Sequence, residues 1–316
     1  MITTVNLNPC IDKSVFVENF KCGMLNRIEK ARQDVSGKGI NVAMVLKELG
    51  TKAECLGFNY CEDGKKLTSV LEQEEIAYDF VNVKGTLRTN TKILDTQNNV
   101  FTELNEFGGR VTQEDISLLK KKIREHAVNS DLIVISGSVP KGVPMNIYKE
   151  IIEDLQSLDV RIILDAEKEL LTEGIKGKPY LIKPNIFEME TAYNIKCKAK
   201  EDVIPLILDI IKKGVKIVCV SLGGAGAYIS DGKRLYYSPC LDLEVKGYQG
   251  AGDSMVAGLC KAIEEGKDID EMLKYGMAAA AASLVMEGTQ LCQRGDFEKY
   301  LKEISVQQEE ISVCHM

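Results

Sequence analysis

Short β-branched runs alternate with segments of helical periodicity along this chain, and that alternation leaves few architectures open. Residues 2–7, 132–136, 161–165, 180–183 and 216–221 read as strands. Between the first two, Val42, Val45, Leu46 and Leu49 fall at i, i+3, i+4 and i+7, and Gly50 follows as a helix stop. Residues 113–127, 144–158, 204–213 and 269–286 read as further helices. Successive strands joined through helices run parallel, and a parallel sheet must be covered on both faces. The expected fold is α/β, a three-layer sandwich around a mostly parallel central sheet, with residues 1–316 forming a single domain.

Two stretches break the rhythm. Residues 12–35 and 86–107 contain alternating, partly polar runs such as SVFVENF and TKILDTQNNVFTEL, the second carrying the turn Asn98-Asn99. Each follows the end of a strand-type element. They predict a small β-sheet lid projecting from the carboxyl edge of the main sheet, the edge where open α/β folds bind ligands. Ordinary connecting loops are the alternative reading. The chain shows no internal repeat and no low-complexity tract.

Composition narrows the function classes. A formal net charge of -7, with no basic run, argues against a nucleic-acid partner, because duplex binding rests on clustered Lys and Arg. The chain has 10 cysteines but no C-x-x-C, and its only histidines are His126 and His315, so a zinc site of thiolates and imidazoles is not expected. The cysteines read mostly as small buried apolar residues in a reducing cytosol. MITTVNLNPC lacks a basic leader region and reads as a first strand. The most apolar run, 277–286, is about half the length a membrane span needs. A cytoplasmic protein without a membrane partner is the expectation.

The stretch YQGAGDSMVAG concentrates small residues ahead of one carboxylate. After Asp253, the positions Val256, Leu259, Cys260 and Ile263 keep helical spacing, so Gly250, Ala251 and Gly252 form a turn feeding a helix. A helix N-terminus offers unpaired N–H groups and partial positive charge, and small residues let a phosphate approach them. Asp253 then has two readings. It caps the helix, or it is a general base that takes a hydroxyl proton beside a phosphoryl group. The chain has no G-x-x-x-x-G-K-[ST]. Gly223, Gly224 and Gly226 hint at a dinucleotide loop, but AYISDGKRLYYS after them reads as strand and turn, not helix.

Six motifs in order carry a wider resemblance: TVNLNPCID, SGKGINVA (36–43), ISGSVP (135–140), IKPNIFE (182–188), VSLGGAGA (220–227) and GAGD. They resemble the ribokinase-like (PfkB) carbohydrate kinase family over nearly the whole chain. That resemblance implies a ribokinase-like α/β/α fold with a small β-sheet lid, and ATP and Mg2+ as cofactors. It implies Asp253 as base, with the backbone of Gly250, Ala251 and Gly252 as anion hole. Asp12 and Asn41 would hold sugar hydroxyls, with Gly37 and Lys38 lining the loop. Lys183 would touch nucleotide phosphate, while Asn185 and Glu188 would organise Mg2+, mostly through water. Ser221, Leu222, Gly223 and Gly226 would border the nucleotide. The chain departs from the family pattern at Ser36, at Gly247-Tyr248-Gln249, and within 57–64 and 164–171.

Within the family, VKGTLRTNTKI and TELNEFG are most similar to the branch acting on phosphorylated ketohexoses, the 1-phosphofructokinases and tagatose-6-phosphate kinases. Arg88, Asn90 and Lys92 alternate onto one face of a strand, where an arginine fork and a lysine charge suit a substrate phosphate. A solvated strand face is the bland alternative. The resemblance adds Asn105 as a further substrate contact, and Arg27 and Ser138 as weaker ones. It implies phosphorylation of fructose 1-phosphate to fructose 1,6-bisphosphate, with tagatose 6-phosphate or fructose 6-phosphate as the next acceptors. A non-catalytic nucleotide or sugar-phosphate sensor is the reading of a different class. An open lid edge also invites a homodimer.

Overall fold

The run ITTVN is buried along its whole length, as a strand covered on both faces requires. It is β1 (Ile2–Asn6) of a computed structural model that describes residues 1–286 and 290–311. His315 and Cys314 lie outside the described residues.

The chain next leaves the main sheet for β2 (Cys10–Val17) and β3 (Lys30–Ser36), then returns through α1 (Lys38–Glu48) to β4 (Ala53–Tyr60), α2 (Lys65–Gln73) and β5 (Ala77–Val83). A second excursion forms β6 (Arg88–Asp95) and β7 (Val100–Asn105). Then follow α3 (Gln113–Ala127), β8 (Leu132–Ser136), α4 (Ile147–Leu155), β9 (Arg161–Asp165), α5 (Lys168–Lys176), β10 (Leu181–Ile182), α6 (Ile186–Tyr193), α7 (Ile204–Lys212) and β11 (Ile217–Ser221). The final third contributes β12 (Ala227–Ser230), β13 (Leu235–Ser238), α8 (Ala251–Glu264), α9 (Ile269–Leu284), α10 (Arg294–Glu303) and β14 (Gln307–Glu309).

Among the described residues, ten strands make one sheet in the order β14-β13-β12-β11-β10-β9-β8-β1-β4-β5. The neighbours β11-β10-β9-β8-β1-β4-β5 pair in parallel, as the helical crossovers require. One apolar cluster packs residues of α2 through α7 against one face, and a second packs α1, α8, α9 and α10 against the other. The three layers expected from the alternation are present. The edge β12-β13-β14 is antiparallel; AYISDGKRLYYS, read as strand and turn, supplies β12 and β13, whereas β14 was not expected. The β12–β13 hairpin turns in four residues, too few for a parallel crossover, and β14 reads QQE with no apolar alternation to reveal it.

Gly57 illustrates how close the central strands come. Its φ is +148°, and an added Cβ would stand 1.9 Å from the Asn6 carbonyl oxygen across the β1–β4 pair. Only glycine fits there without moving a strand.

The two excursions form a four-stranded sheet, β3-β2-β6-β7. Strand β2 pairs antiparallel with β3 and parallel with β6, in a register that sets Asp12 opposite Asn90 and Ser14 opposite Lys92. The Asn98-Asn99 turn joins β6 to β7, with Asn99 at φ +53°. On β7, Val100, Phe101 and Leu104 are exposed. Among the described residues, Cys10, Cys55, Cys219, Cys260 and Cys292 are buried, while Cys22 and Cys61 are exposed. No helix there is long and apolar enough to cross a membrane.

Candidate active site

Asn6, Ser136, Asp165 and Ser221 end β1, β8, β9 and β11, and Lys183 directly follows β10, so all five lie at the carboxyl edge of the main sheet. Helices α1 and α8 begin at the same level, because each follows a glycine turn that the chain could not make otherwise. Gly37 precedes α1 at φ +144°, and a Cβ there would fall 2.6 Å from Asn6 Nδ2. Gly250 precedes α8 at φ +75°, in the left-handed region that glycine enters at little cost.

Asp253 does not cap helix α8. Its N-cap position is Gly250, and no side chain caps it. Asp253 sits one turn inside, nearly buried, and its Oδ2 accepts a 2.7 Å hydrogen bond from Asn41 Nδ2 of α1. Among the described residues, the first N–H groups of α8 have no side-chain partner, and a carboxylate stands beside them. Burial pushes the Asp253 carboxyl up to about 6, a Lys38 charge and the Asn41 bond offset part of that, and Asp165 adds to it.

A charge cluster lies beside this helix end. Lys183, 3% exposed, stands 3.5 Å from Asp165 Oδ1. A Cβ built on Gly252 would be 3.6 Å from Lys183 Nζ, so that ammonium faces the α8 turn directly. Lys38 Nζ lies 3.3 Å from Asp165 Oδ2 and 3.8 Å from Glu188 Oε1. Burial alone would raise the Asp165 carboxyl, but the Lys183 and Lys38 ammonium groups outweigh it and hold the group below the usual range. Burial raises Glu188, although Lys38 opposes the shift. Burial would lower the Lys38 ammonium, yet Asp165, Glu188 and Asp253 raise it overall.

The IKPNIFE motif has a local structural explanation. Asn185 Oδ1 accepts from the Glu188 N–H at 2.8 Å, and Glu188 Oε2 accepts from the Asn185 N–H at 2.8 Å, a reciprocal cap on α6. One oxygen of each side chain is thus engaged, and Glu188 Oε1 faces Lys38. Asn185 also bridges to Ser221, which brings the loop of Leu222, Gly223 and Gly226 alongside. At Gly226 an added Cβ would meet the Ser238 carbonyl at 2.0 Å, so this tight loop depends on glycine.

The lid row converges as its alternation predicted. Lys92 Nζ pairs with Asp12 Oδ2 at 2.8 Å, and Asn90 Nδ2 donates to Asp12 Oδ1 at 3.1 Å. Arg88 donates to Asn90 Oδ1 and to the backbone carbonyls of Asn8 and Glu106. The row is not a solvated face, because Lys92 and Asp12 are buried. Lys92 is therefore committed first to Asp12. Ser138 Oγ accepts from Asn8 Nδ2 at 3.1 Å at the lid's foot. Asn105 lies opposite Asn90 but is exposed and bonds Glu103. Arg27 is exposed in the connection between β2 and β3, outside this network.

Three members escaped the sequence reading. Asp165, 1% exposed, is the hub of both lysines. Its one signal was its position as the last residue of the strand run RIILD, at the ligand-binding edge. Asn6 supports the glycines of the α1 turn and accepts from the Gly39 N–H. Cys10 places its thiol 3.6 Å from Asp12 Oδ1; burial and the Asp12 charge push that thiol up to about 12, so it stays neutral.

Comparison with known proteins follows the same lines. The profile of the pfkB family carbohydrate kinases matches residues 5–294. The 1-phosphofructokinase of Borreliella burgdorferi is 33% identical over 308 residues, covering 97% of this chain and 98% of the relative. The 1-phosphofructokinase of Bacillus subtilis is 30% identical over 287 residues, covering 91% and 93%. Among solved structures, phosphofructokinase-2 from Escherichia coli in complex with fructose-6-phosphate matches with a TM-score of 0.88 at 26% identity, covering 96% of this chain and 98% of that one.

Proposed function

The chain belongs to the pfkB family of carbohydrate kinases and is an ATP-dependent sugar-phosphate kinase; from that premise we propose that its acceptor is fructose 1-phosphate, converted to fructose 1,6-bisphosphate. The relatives named 1-phosphofructokinase support this acceptor, and so does the arginine fork of Arg88 at the lid's foot. The observation that carries the mechanism is the Asn41–Asp253 bond beside the uncapped start of α8.

Asp253 accepts the proton of the acceptor hydroxyl as its oxygen bonds to the γ-phosphorus and the bond to the β–γ bridging oxygen breaks. The N–H groups of Gly250, Ala251 and Gly252 face the charge on the transferring group. Asn41 orients Asp253 and reaches a sugar hydroxyl, with Asp12 on the lid side and Gly37 and Lys38 forming the loop. Lys183 meets nucleotide phosphate, and Ser221, Leu222, Gly223 and Gly226 border the nucleotide. Arg88 receives the sugar phosphate, with Asn90 and Ser138 beside it, while Lys92 holds Asp12; Asn105 and Arg27 lie outside that network. When bound, Mg2+ neutralises phosphate charge. The donor set suits it, because both buried Asp165 oxygens accept no hydrogen bond and Glu188 Oε1 is free of the α6 cap. Asn185 keeps Glu188 in place. A cation held largely through water needs few such ligands.

The test is ADP release with Mg-ATP against fructose 1-phosphate, fructose 6-phosphate, tagatose 6-phosphate, free fructose and ribose. The expected result is selective turnover of fructose 1-phosphate. Preference for fructose 6-phosphate, the ligand of the Escherichia coli neighbour, or for tagatose 6-phosphate would replace the acceptor. Nucleotide binding without turnover across the panel would favour a sensor. Arg88→Met raises KM for the sugar phosphate by about 10-fold or more with kcat little changed, as expected for one charge-assisted hydrogen-bonding group.

The exposed apolar residues on β7 and its open edge support pairing of two lids into a homodimer. Light scattering should give twice the chain's 35.0 kDa. A monomeric mass would sink that assembly.

A further inference from the structure

Two lysines share Asp165, but they are placed differently. Lys183 is sealed in the core, whereas about a third of the Lys38 side chain is open to solvent (32% against 4%). Lys38 also begins α1, whose first turn holds no acidic residue. A cation at a helix N-terminus opposes the helix dipole. What offsets that cost is reach: Lys38 Nζ sits against Asp165 Oδ2 and Glu188 Oε1. Both Asp165 oxygens are buried and accept no hydrogen bond, so their charge is met by the two ammonium groups alone among the described contacts. Glu188 Oε2 is engaged in the α6 cap, which leaves Oε1 to Lys38.

We propose that Lys38 is a tethered counter-cation: in the nucleotide-free protein its ammonium occupies the Asp165 and Glu188 carboxylates and keeps a divalent cation out until metal and nucleotide arrive together. This rests on the reading above that these two carboxylates serve Mg2+. The solvent-open lysine is the one able to leave, while Lys183 keeps Asp165 partly compensated throughout. Its release toward the α8 turn puts a positive charge beside incoming phosphate. Metal alone gains too little to displace it, because a carboxylate pair already neutralised by an ammonium group attracts a cation weakly.

The experiment is Mn2+ binding to nucleotide-free protein, read as loss of the free-ion electron paramagnetic resonance signal, for wild type, Lys38→Met and Lys38→Arg. Lys38→Met should bind Mn2+ about tenfold or more tighter than wild type, because the competing charge is gone. Lys38→Arg, which keeps a cation, should stay near wild type. In the Met variant the melting temperature should also rise on adding Mn2+, with a much smaller rise in wild type. Lys38→Gln serves as the second uncharged variant if Lys38→Met fails to fold. Uncharged variants that bind Mn2+ no tighter than wild type overturn the proposal. Adding Glu188→Gln to Lys38→Met separates the two layers: the gained affinity should vanish. Tightening that survives Glu188→Gln overturns the metal placement itself, and the proposal with it.

Discussion

Asp253→Asn lowers kcat by a factor of about 10³ and leaves Mg-ATP affinity within about twofold. The substitution keeps size and shape, and Asn41 can still donate to the remaining oxygen, so the α1–α8 contact survives. What disappears is the carboxylate proposed to accept the hydroxyl proton. The pH profile provides a second reading of the same residue. Burial raises the Asp253 carboxyl to about 6, and only its ionised form accepts a proton. The wild-type kcat/KM therefore climbs as pH rises through about 6 and levels above it, while the residual rate of the Asn variant shows no such limb. Asn41→Ala removes a bond that favours the ionised form and moves that limb to higher pH. Turnover within tenfold of wild type for Asp253→Asn would remove the base assignment.

Asp165→Asn should cost about 3 kcal/mol of stability, because it leaves Lys183 buried without a compensating carboxylate. The measurement is the urea midpoint of the nucleotide-free protein. The sign of its pH dependence follows from the depressed carboxyl. A group whose folded value lies below its unfolded one stabilises above the unfolded value, near 4 for Asp, and loses that contribution as pH falls through the folded value. The gap between wild type and variant should be full at neutral pH and shrink in acid. A gap that is absent at neutral pH would show that Lys183 needs no partner there.

What could be read from the chain depended on how locally each feature is encoded. The turn before α8 was legible because the residues that make it are consecutive: glycine, small neighbours, then helical spacing; the loop before α1 came from the resemblance alone. The Arg88, Asn90 and Lys92 row was legible because strand alternation alone places them together. That Lys92 would be committed to Asp12 was not, since β2 and β6 come from separate excursions and their register is a tertiary fact. Asp165 was missed for the same reason. Its partners Lys38 and Lys183 belong to other elements, and LDAEK in isolation reads as a strand ending in a turn. IKPNIFE was recognised for its order among the motifs, but its reciprocal cap is what sets Asn185 and Glu188. The polar β14 carries no pattern at all. Arg27 was suggested by resemblance alone, and it lies outside the network.

The lid is spliced from two excursions, with β2 and β6 as its parallel inner pair. Four separate crossings tie it to the main sheet: before β2, after β3, before β6 and after β7. A flap on one hinge could peel from its tip. A plate moored at four points can only rock as a whole. Asp12 and Arg88 ride on that plate, linked through Asn90. If Asp12 reads the sugar and Arg88 its phosphate, as proposed above, the two groups arrive together. Such a plate acts as a logical AND: an acceptor lacking either feature leaves it half-engaged, and selectivity becomes a matter of timing as well as affinity.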